Sequence, residues 1–423
     1  MGFPFVLRAA QAVEAIPLWQ RKVSCVYPSL VKSSKDARTT RRSTTVKVAL
    51  VHSYYSSRQP SGENVVVDAQ AAALRAHGVD VRVVAARTDD LEKRTGYKLA
   101  SAVNVSLGRG LSPIEELQRF GPDVVHVHNL FPNWGTSWLT DWRGPMVTTV
   151  HNFRPVCAAG TLFLDGKVCT RCPDSSSLKA VTNACYRESK IASVPLAIRN
   201  RKGVAGDRLL SRADRVILLS PRAQHMYHSF GLPPDKTEII PNFVSDSGFQ
   251  PWMQPGVDWV YVGRLTAEKG ITKLLRHWPD NVNLRVYGDG PLRQEVEALS
   301  RSNVRYLGQI SHNEVPRVLA ESRGLVFPSE WAEGLPMIYA EALASGRLVV
   351  AKSGNSAADD ISLHNVGQVF HSWNDIGAAL EHVCNREAEI GLRARAHFES
   401  SYSRHIWLAK TMDLYRSVSS MRI

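Results

Sequence analysis

Short apolar runs alternate with amphipathic segments along most of the chain. The run 46–51 is β-branched and mostly apolar, which predicts a buried parallel strand. A helical pattern follows over 64–77, and the next strand is predicted at 79–86. Three more strands of the first half are predicted at 123–128, 146–151 and 215–220.

A second series of the same kind begins near Asp258. Its strands are predicted at 259–262, 284–287, 304–307, 324–327 and 348–351. Helices are predicted between them, at 271–278, 291–300, 313–322 and 336–344. Strands that alternate with helices form right-handed crossovers and a mostly parallel sheet. The pattern therefore predicts an α/β fold of two Rossmann-like, doubly wound domains that face a central cleft.

The domain limits follow from breaks in this pattern. Residues 1–45 are basic and are predicted to be a disordered extension, followed by a first domain over 46–221 with a Cys-rich loop at 154–186. A second domain is predicted over 222–402, and a helix within 403–423 is expected to cross back to the first domain. Because ligands of doubly wound sheets bind beyond the carboxyl ends of the strands, the cleft is the expected site.

The charge balance adds a basic character to this picture. The formal net charge is +13, and residues 1–47 hold nine basic and two acidic side chains. A second basic stretch runs from Arg187 to Arg215. Such charge attracts phosphates, anionic lipid headgroups or nucleic acid, and charge alone does not separate these partners from a merely solvated surface.

Four cysteines fall within one short stretch: Cys157, Cys169, Cys172 and Cys185. No apolar run is long enough to span a membrane, and the first residues lack a secretory pattern, so we expect a cytoplasmic, reducing compartment. Cys169 and Cys172 have the two-residue spacing of a zinc knuckle, and four thiolates would complete a tetrahedral structural site. The sequence leaves three states open: a structural zinc or other metal, free thiols, or disulfides.

The strongest chemical pattern is a pair of carboxylates, Glu333 and Glu341, that follows the strand predicted to end at Phe327. Pro336 suits the first turn of a helix, where its missing N–H is no loss. Backbone N–H groups at such a helix start form a site for an anion. The residues concerned are Gly334, Leu335, Pro336 and Met337. We expect Glu333 in the loop and Glu341 on the helix, each accepting hydrogen bonds from hydroxyls of one ligand.

Two basic residues complement these carboxylates. Arg264 and Lys269 directly follow the strand predicted to end at Val262, in the loop where phosphates bind in this topology. A diphosphate that departs during group transfer gains negative charge, which two cations and a helix N-terminus stabilise. With these cations in place, no cofactor is expected for the chemistry.

Together these motifs resemble the retaining glycosyltransferase family 4, which has the GT-B fold. That family carries two glutamates separated by seven residues, as Glu333 and Glu341 are. Its Gly-Arg…Glu-Lys-Gly motif is matched by Gly263, Arg264, Glu268, Lys269 and Gly270, and two later strand ends by Gly288-Asp289-Gly290-Pro291 and Leu307-Gly308. The resemblance covers about residues 46–418, and some members carry a similar Cys-rich insertion.

The resemblance implies a nucleotide diphosphate sugar as the donor. It places Glu341 on the ribose, Glu333 near the donor sugar, and Arg264 and Lys269 on the diphosphate, with Gly288 among the donor-binding residues. The implied reaction is retaining transfer of a hexosyl or N-acetylhexosaminyl group from a UDP- or GDP-sugar. The expected acceptor is a glycan, a lipid-linked or a small molecule, in cell-envelope polysaccharide biosynthesis.

Polar residues at strand ends mark the expected acceptor side. Gly62 lies between the first strand and the first helix, where a glycine lets the backbone approach a phosphate or sugar. His126 and His128 share one face of a strand, and His151 ends the neighbouring strand. In similar enzymes the histidine that matches His128 lies near the reacting centre, where we expect it to orient the acceptor or assist with its proton. His151 is expected to shape the acceptor pocket.

Other functions fit parts of the sequence. A sugar-nucleotide epimerase or a phosphorylase would share the GT-B fold, although no pyridoxal lysine motif is found. A non-catalytic sugar-nucleotide binder would keep the same site. A nucleic-acid-binding protein with a zinc knuckle would explain the charge and the cysteines, but not the four charged residues of the cleft. The expected partners are the donor, the acceptor and an anionic membrane surface on the cytoplasmic side, with no nucleic acid.

Overall fold

The structure, a computed structural model, describes residues 46–57, 61–246, 248 and 256–420. The predicted extension 1–45 and Pro60 of the first loop lie outside these residues. Within the described residues the chain forms two six-stranded sheets and one two-stranded hairpin. All pairs in the two large sheets are parallel, so both predicted series of strands and the two-domain α/β fold are confirmed.

The first sheet and the hairpin contain the strands of the first half. They are β1 (Lys47–Tyr54), β2 (Asp80–Arg87), β3 (Val124–Asn129), β4 (Met146–Val150), β5 (Phe163–Leu164), β6 (Lys167–Val168), β7 (Arg215–Leu218) and β8 (Thr237–Ile239). The order in the sheet is β2-β1-β3-β4-β7-β8, and β5 and β6 form the antiparallel hairpin.

The second sheet contains the remaining strands. They are β9 (Trp259–Val262), β10 (Leu284–Tyr287), β11 (Val304–Tyr306), β12 (Gly324–Phe327), β13 (Leu348–Lys352) and β14 (Gln368–Phe370), in the order β11-β10-β9-β12-β13-β14. In each sheet the strand order reverses beside the first strand, β1 or β9. Such a switch point opens a crevice at the carboxyl ends of the strands, where ligands bind.

Helices connect the strands. In the first half they are α1 (Gly62–Ala76), α2 (Thr88–Leu91), α3 (Tyr97–Leu107), α4 (Ile114–Phe120), α5 (Arg171–Asp174), α6 (Lys179–Thr182), α7 (Lys190–Arg199), α8 (Gly203–Gly206), α9 (Arg208–Arg212) and α10 (Pro221–Ser229). In the second half they are α11 (Ile271–His277), α12 (Arg293–Ala298), α13 (Val315–Ala320), α14 (Met337–Ala344), α15 (Ser356–His364), α16 (Ile376–Cys384), α17 (Glu387–Ser401) and α18 (Arg404–Ser420). Among the described residues, no helix combines the length and the apolar character needed to cross a bilayer.

Burial on both faces explains why the strands are continuous apolar runs. In β1 only Lys47 is exposed, and every residue of β4 and β12 is buried. The second sheet lies between two apolar clusters, one that includes Leu325 and Tyr339 and one that includes Trp259 and Val350. Parallel sheets covered by helices on both faces require this pattern.

The first sheet extends beyond the predicted domain limit between residues 221 and 222. β8 pairs with β7, with Thr237 opposite Val216. The connection to the second sheet therefore lies between Ile239 and Trp259, and the limit was placed too early. A strand of three residues carries no periodicity that could mark it in the sequence.

The helix α18 returns to the first sheet. Its residues Trp407, Tyr415 and Val418 are buried in one apolar cluster with Val48 and Leu50 of β1. Just before α18, the carbonyl of Tyr402 accepts a hydrogen bond from the backbone N–H of Val244. The two segments that join the halves therefore run side by side.

Candidate functional site

A buried ion pair lies at the carboxyl end of the second sheet. Lys269 Nζ donates to Glu333 Oε1 at 2.6 Å, and the Ser329 hydroxyl donates to the same oxygen at 2.6 Å. Glu333 and Ser329 are buried, and the Lys269 ammonium lies over the ring of Trp331. Two residues that are far apart in sequence and were predicted to serve one ligand are thus in direct contact.

The loop after β9 carries Arg264. Its side chain is mostly exposed and approaches Glu268 Oε1 at 3.4 Å, so the guanidinium borders the cleft rather than filling a protein pocket. The loop packs against the turn at Gly288, where a Cβ atom would overlap the carbonyl oxygen of Gly263. Because Gly288 has no side chain, the loop that carries Arg264 can pack closely against this turn.

Glu341 lies on α14, one helical segment after Glu333 in its loop. Burial raises the pKa of the Glu341 carboxyl to about 7, so its charge is lost readily near neutrality. His312 Nδ1 lies 3.7 Å from this carboxyl group. The group is suited to accept hydrogen bonds from ligand hydroxyls, which would favour its ionised form.

The segment before α14 differs in detail from the prediction. Pro336 occupies the N-cap with an extended backbone, and the helix begins at Met337, so Pro336 does not lie in the first turn. The first N–H groups of α14 still have no acceptor within the helix. Gly334 and Pro336 are buried, while Leu335 and Met337 are partly exposed.

Four histidines form a layer at the carboxyl end of the first sheet. His128 stacks between His126 and His151, with ring centroids 4.2 and 5.4 Å away, and His128 Nδ1 lies 3.1 Å from His151 Nε2. The fourth, His52, lies edge-on to His128. Burial lowers the pKa of His151 and His52 to about 4 and that of His126 to about 3. All are therefore neutral at pH 7, and burial also lowers the pKa of His128 far below its usual value.

The histidines differ in their partners. Both ring nitrogens of His126 are bonded, to Tyr415 and to Thr149, so this residue holds α18 onto the sheet. By contrast, His128 Nε2 is buried and has no hydrogen-bond partner among the described residues. Of the predicted pair on β3, only His128 has a ring nitrogen left for a ligand.

Glu63 is a site residue that sequence reasoning missed. It follows Gly62, which is exposed at the start of α1, and Asn152 donates to its carboxylate at 2.6 Å. Asn129 donates to its other oxygen at 3.3 Å. Burial raises the pKa of Glu63, and the hydrogen bond from Asn152 and the charges of Arg154 and Arg264 oppose that shift.

The loops of the two halves meet beside this carboxylate. Gly334 lies against the carbonyl oxygen of His151, at van der Waals distance for an added Cβ atom. Ala332 is buried in a cluster of the first half that includes Phe153 and Leu162. The Lys269–Glu333 pair and the histidine layer therefore border one interdomain cleft.

The four cysteines of the predicted loop form no disulfide in the structure. Burial raises the pKa of the Cys172 thiol to about 12, and the charges of the other three cysteines add to the effect. In the described part of the chain, Asp360, His364 and His397 form a group whose possible metal-ligand atoms all lie within 4.8 Å of one another. The cysteines do not form such a group. The donor set suits zinc, but the sulphur atoms are spread more widely than in a closed site.

Two facing Rossmann-like domains with a cationic loop, a helix start and paired glutamates at the cleft are typical of the GT-B glycosyltransferases, and matches to two family models show that this chain is one of them. Residues 60–247 match the family model described as Glycosyltransferase Family 4. Residues 256–385 match the model described as Glycosyl transferases group 1. Between them the two matches span both domains.

Curated relatives agree with this class. An uncharacterised glycosyltransferase of Methanocaldococcus jannaschii is 23% identical over 374 residues, which cover 77% of this chain and 85% of the relative. A putative teichuronic acid biosynthesis glycosyltransferase of Bacillus subtilis is 22% identical over 347 residues, which cover 71% of this chain and 79% of the relative.

Solved structures share the fold. Sucrose-phosphate synthase from Thermosynechococcus elongatus superposes with a TM-score of 0.63 at 17% identity, covering 89% of this chain and 100% of that one. Anabaena HepE in complex with UDP and glucose gives 0.57 at 16% identity, covering 88% of this chain and 100% of that one. At these identities the likeness establishes the architecture.

Proposed function

We propose that this glycosyltransferase moves a hexosyl or N-acetylhexosaminyl group from a UDP- or GDP-sugar to a glycan, lipid-linked or small-molecule acceptor, with retention. The observation that carries the proposal is the buried Lys269–Glu333 pair beside the start of α14. It brings a cation, helix N–H groups and a carboxylate to the expected place of a sugar diphosphate. The UDP and glucose bound to Anabaena HepE, a protein of the same fold, support this choice of donor.

In the proposed reaction the acceptor oxygen forms a bond to the anomeric carbon while the bond from that carbon to the diphosphate oxygen breaks. The departing diphosphate takes the negative charge, which Lys269, Arg264 and the N–H groups of α14 stabilise. The acceptor proton passes to a phosphate oxygen of the leaving group. Glu333 orients the donor sugar, and Glu341 holds the ribose hydroxyls.

On the acceptor side we assign His128 and His151 to the reacting hydroxyl. Both are neutral at pH 7, so the free ring nitrogen of His128 accepts a hydrogen bond without taking a full charge. Gly62 leaves open space at the start of α1 for the acceptor. A cell-envelope glycan is the acceptor class that we favour, since the Bacillus subtilis relative carries that kind of name.

The donor is tested by thermal denaturation of the purified protein with a panel of UDP- and GDP-sugars. A ligand at about 100 times its Kd adds about 2.7 kcal/mol to the free energy of unfolding. One nucleotide sugar should therefore raise the melting temperature clearly, and the anomeric proton of the product should show the configuration of the donor by NMR. Absence of binding at millimolar concentrations would end the proposal, and inversion would end its stereochemical part.

Lys269→Ala is the corresponding mutational test. Loss of a preorganised cation that faces the leaving group should lower kcat by about 100-fold or more, as for a single oxyanion donor. Lys273→Ala is the matched control, because Lys273 lies four residues after Lys269, on α11, and pairs with Glu330. Equal turnover of the Lys269 variant and the control would contradict the role of Lys269.

The matches favour a transferase over an epimerase, a phosphorylase, a non-catalytic binder or a zinc-knuckle nucleic-acid protein. We propose that the chemistry needs no cofactor, since cationic side chains reach the diphosphate, and that turnover therefore survives EDTA.

For Cys157, Cys169, Cys172 and Cys185 we propose a single structural zinc, which the loop would have to close around. Elemental analysis should find one zinc per chain, lost in Cys172→Ser, whereas metal-free protein of full stability would favour free thiols.

A further inference from the structure

An apolar strip lies open on the first domain. On α3 the side chains of Leu99, Val103 and Leu107 are exposed, and their spacing of four residues places them on one helix face. On α7, which packs beside α3, Ile191 and Val194 are exposed as well, Ile191 to 85%. Single exposed apolar residues are ordinary, but five of them on two helices that pack together indicate a surface that something covers.

The surroundings of this strip are basic. Neither α3 nor α7 contains an aspartate or glutamate, and Lys98 and Lys190 are exposed on the same two helices. Arg187, three residues before the start of α7, is exposed too, next to the exposed Glu188. An apolar face with a cationic border is the arrangement of helices that lie in the interface of an anionic bilayer.

A cavity of about 180 Å³ opens where α3 and α7 both end. Leu107 of the strip lies on its wall, as do Arg201, Lys202 and Arg208. These three side chains are exposed, and among the described residues Arg201 and Lys202 have no hydrogen-bonded or ion-paired partner. Since about 10–15 Å³ holds one water, the cavity has room for a larger polar group.

The acidic lining of this cavity is already neutralised. Asp207 pairs with Arg199 at 3.2 Å and caps the start of α9 through its other carboxylate oxygen. Thr136 contributes only a hydroxyl, which accepts a long hydrogen bond from Arg208. The cavity therefore holds a net positive charge and suits an anion such as a phosphate.

We propose that α3, α7 and this cavity form a docking surface for an anionic lipid bilayer, in which the strip enters the interface and the cavity binds a lipid phosphate. The apolar strip and the cationic cavity touch at Leu107, which matches the order of acyl chain and headgroup in a lipid. A nucleic acid would satisfy the cations and leave Ile191 and Leu99 in water. The charge and the apolar area together thus select a lipid.

The cavity also lies next to the acceptor side of the cleft. Arg199 and Asp207 line both this cavity and a smaller one of about 40 Å³, whose wall includes His128 and His151. A lipid held at the surface would thus be separated from the reacting histidines by one ion pair. That a lipid-linked acceptor uses this route rests on the proposed transferase function, whereas the bilayer contact does not.

Vesicle sedimentation without any nucleotide sugar tests the docking surface. The full chain should bind phosphatidylcholine vesicles that contain phosphatidylglycerol, and not vesicles of phosphatidylcholine alone. The double variant Arg201→Glu/Lys202→Glu should lose at least about tenfold in vesicle affinity, because each basic residue near an anionic surface contributes to binding. Leu99→Asp/Ile191→Asp should lose a comparable amount through the apolar strip.

Matched variants separate local from general effects. Arg404→Glu/Lys410→Glu makes the same change of charge on α18, and Leu363→Asp/Leu392→Asp changes two exposed leucines of the second domain. Both should sediment with vesicles like the unchanged protein, and all variants should keep its melting temperature. Equal losses in the controls, or binding to neutral vesicles, would overturn the proposal.

Two further probes distinguish other sources of phosphate. Inorganic phosphate and a single-stranded oligonucleotide are titrated against the full chain and the Arg201→Glu/Lys202→Glu variant. Tight binding of either one, with no binding to vesicles, would show that the cavity serves a free anion or a nucleic acid and would overturn the lipid assignment. Donor binding in the thermal assay is unaffected by any of these outcomes, so the two proposals fail independently.

Discussion

Burial in the fold and binding of the proposed ligand shift the pKa of Glu341 in opposite directions. Burial raises the pKa of its carboxyl to about 7, whereas ribose hydroxyls that donate to it favour the ionised form. The Glu341 carboxyl is therefore largely protonated in the free protein below about pH 7 and becomes ionised when the donor binds. A group of this kind makes ligand affinity depend on pH in a direction that can be worked out.

Donor affinity should rise as the pH increases toward 7 and then level off. The free protein keeps Glu341 protonated below its pKa of about 7, and donor binding lowers that pKa, so binding releases a proton over this range. Calorimetry with the nucleotide sugar between pH 5.5 and 8 measures the slope. Glu341→Gln should remove it, whereas His312→Asn, which changes the neighbour at 3.7 Å, should retain it. A slope that survives Glu341→Gln would assign the proton elsewhere.

Glu63 provides a second prediction at this scale. Its carboxylate is held by Asn129 and Asn152 at the ends of two strands, so we expect it to accept a hydrogen bond from the acceptor. Glu63→Gln should raise the acceptor KM by about tenfold, since a hydrogen bond to a charged group contributes about 1.5–3 kcal/mol, and should leave the donor KM unchanged. Glu115→Gln, on the exposed start of α4, is the control. A change confined to the donor KM would show that Glu63 contributes to donor binding and not to acceptor binding.

Residues of this kind define the limit of prediction from one sequence. The pair Glu333 and Glu341 could be predicted because its spacing and the following helix form a pattern. Glu63 has no pattern, and its role depends on two asparagines at the ends of other strands. The partner of His126 is Tyr415, 289 positions away, so the sequence could not separate this structural histidine from His128.

At the scale of elements, the loop after β9 and the turn after β10 are built together. The N–H of Leu265 donates to the carbonyl of Asp289, and Gly288 has a positive φ of 148° with no room for a Cβ atom. The position of Arg264 therefore depends on the backbone conformation of Gly288. A substitution at Gly288 tests this dependence.

Gly288→Ala should lower the free energy of unfolding by about 2 kcal/mol, because it adds backbone strain and a steric overlap. It should also weaken donor binding, since the loop that carries Arg264 must shift. Chemical denaturation and calorimetry with the donor measure the two effects. Gly62→Ala is the control for stability, because open space surrounds Gly62. Wild-type stability of the Gly288 variant would contradict this account of the turn.

Helices and strands differ in how accurately the sequence predicts them. The inner strands of both sheets are apolar on both faces, so their runs predict them to within three residues, whereas the short edge strand β14 was not predicted. β8 is three residues long and α3 exposes an apolar face, so neither fits the pattern of an element that packs against a core. Only the tertiary structure assigns β8 to the first sheet.

For the whole molecule, contacts between the halves set how far the cleft closes. Arg222 of α10 and Asp359 of α15 form a two-bond ion pair at 2.6 and 2.7 Å. Both side chains are partly exposed, so the pair contributes only about 0–1 kcal/mol. That amount is small for stability but sufficient to shift a balance between open and closed forms.

Arg222→Ala should therefore weaken apparent donor affinity by up to about fivefold while the melting temperature changes little. Asp359→Ala should have a similar effect, and the double variant should be no weaker than either single one, as expected of two residues that act on each other. Calorimetry and small-angle scattering measure affinity and closure. Additive losses in the double variant would show that the two residues act separately.

The return of α18 to the first sheet has a consequence for biosynthesis. A ribosome releases β1 to β8 long before it completes α18, and during that interval Val48, Leu50 and His126 lack the cover that α18 provides. The first half must therefore wait, partly open, while the second half is made and can already fold on its own. A nascent chain arrested before residue 404 should thus present the histidine layer to chaperones and proteases, and its protection should appear only when the final helix emerges.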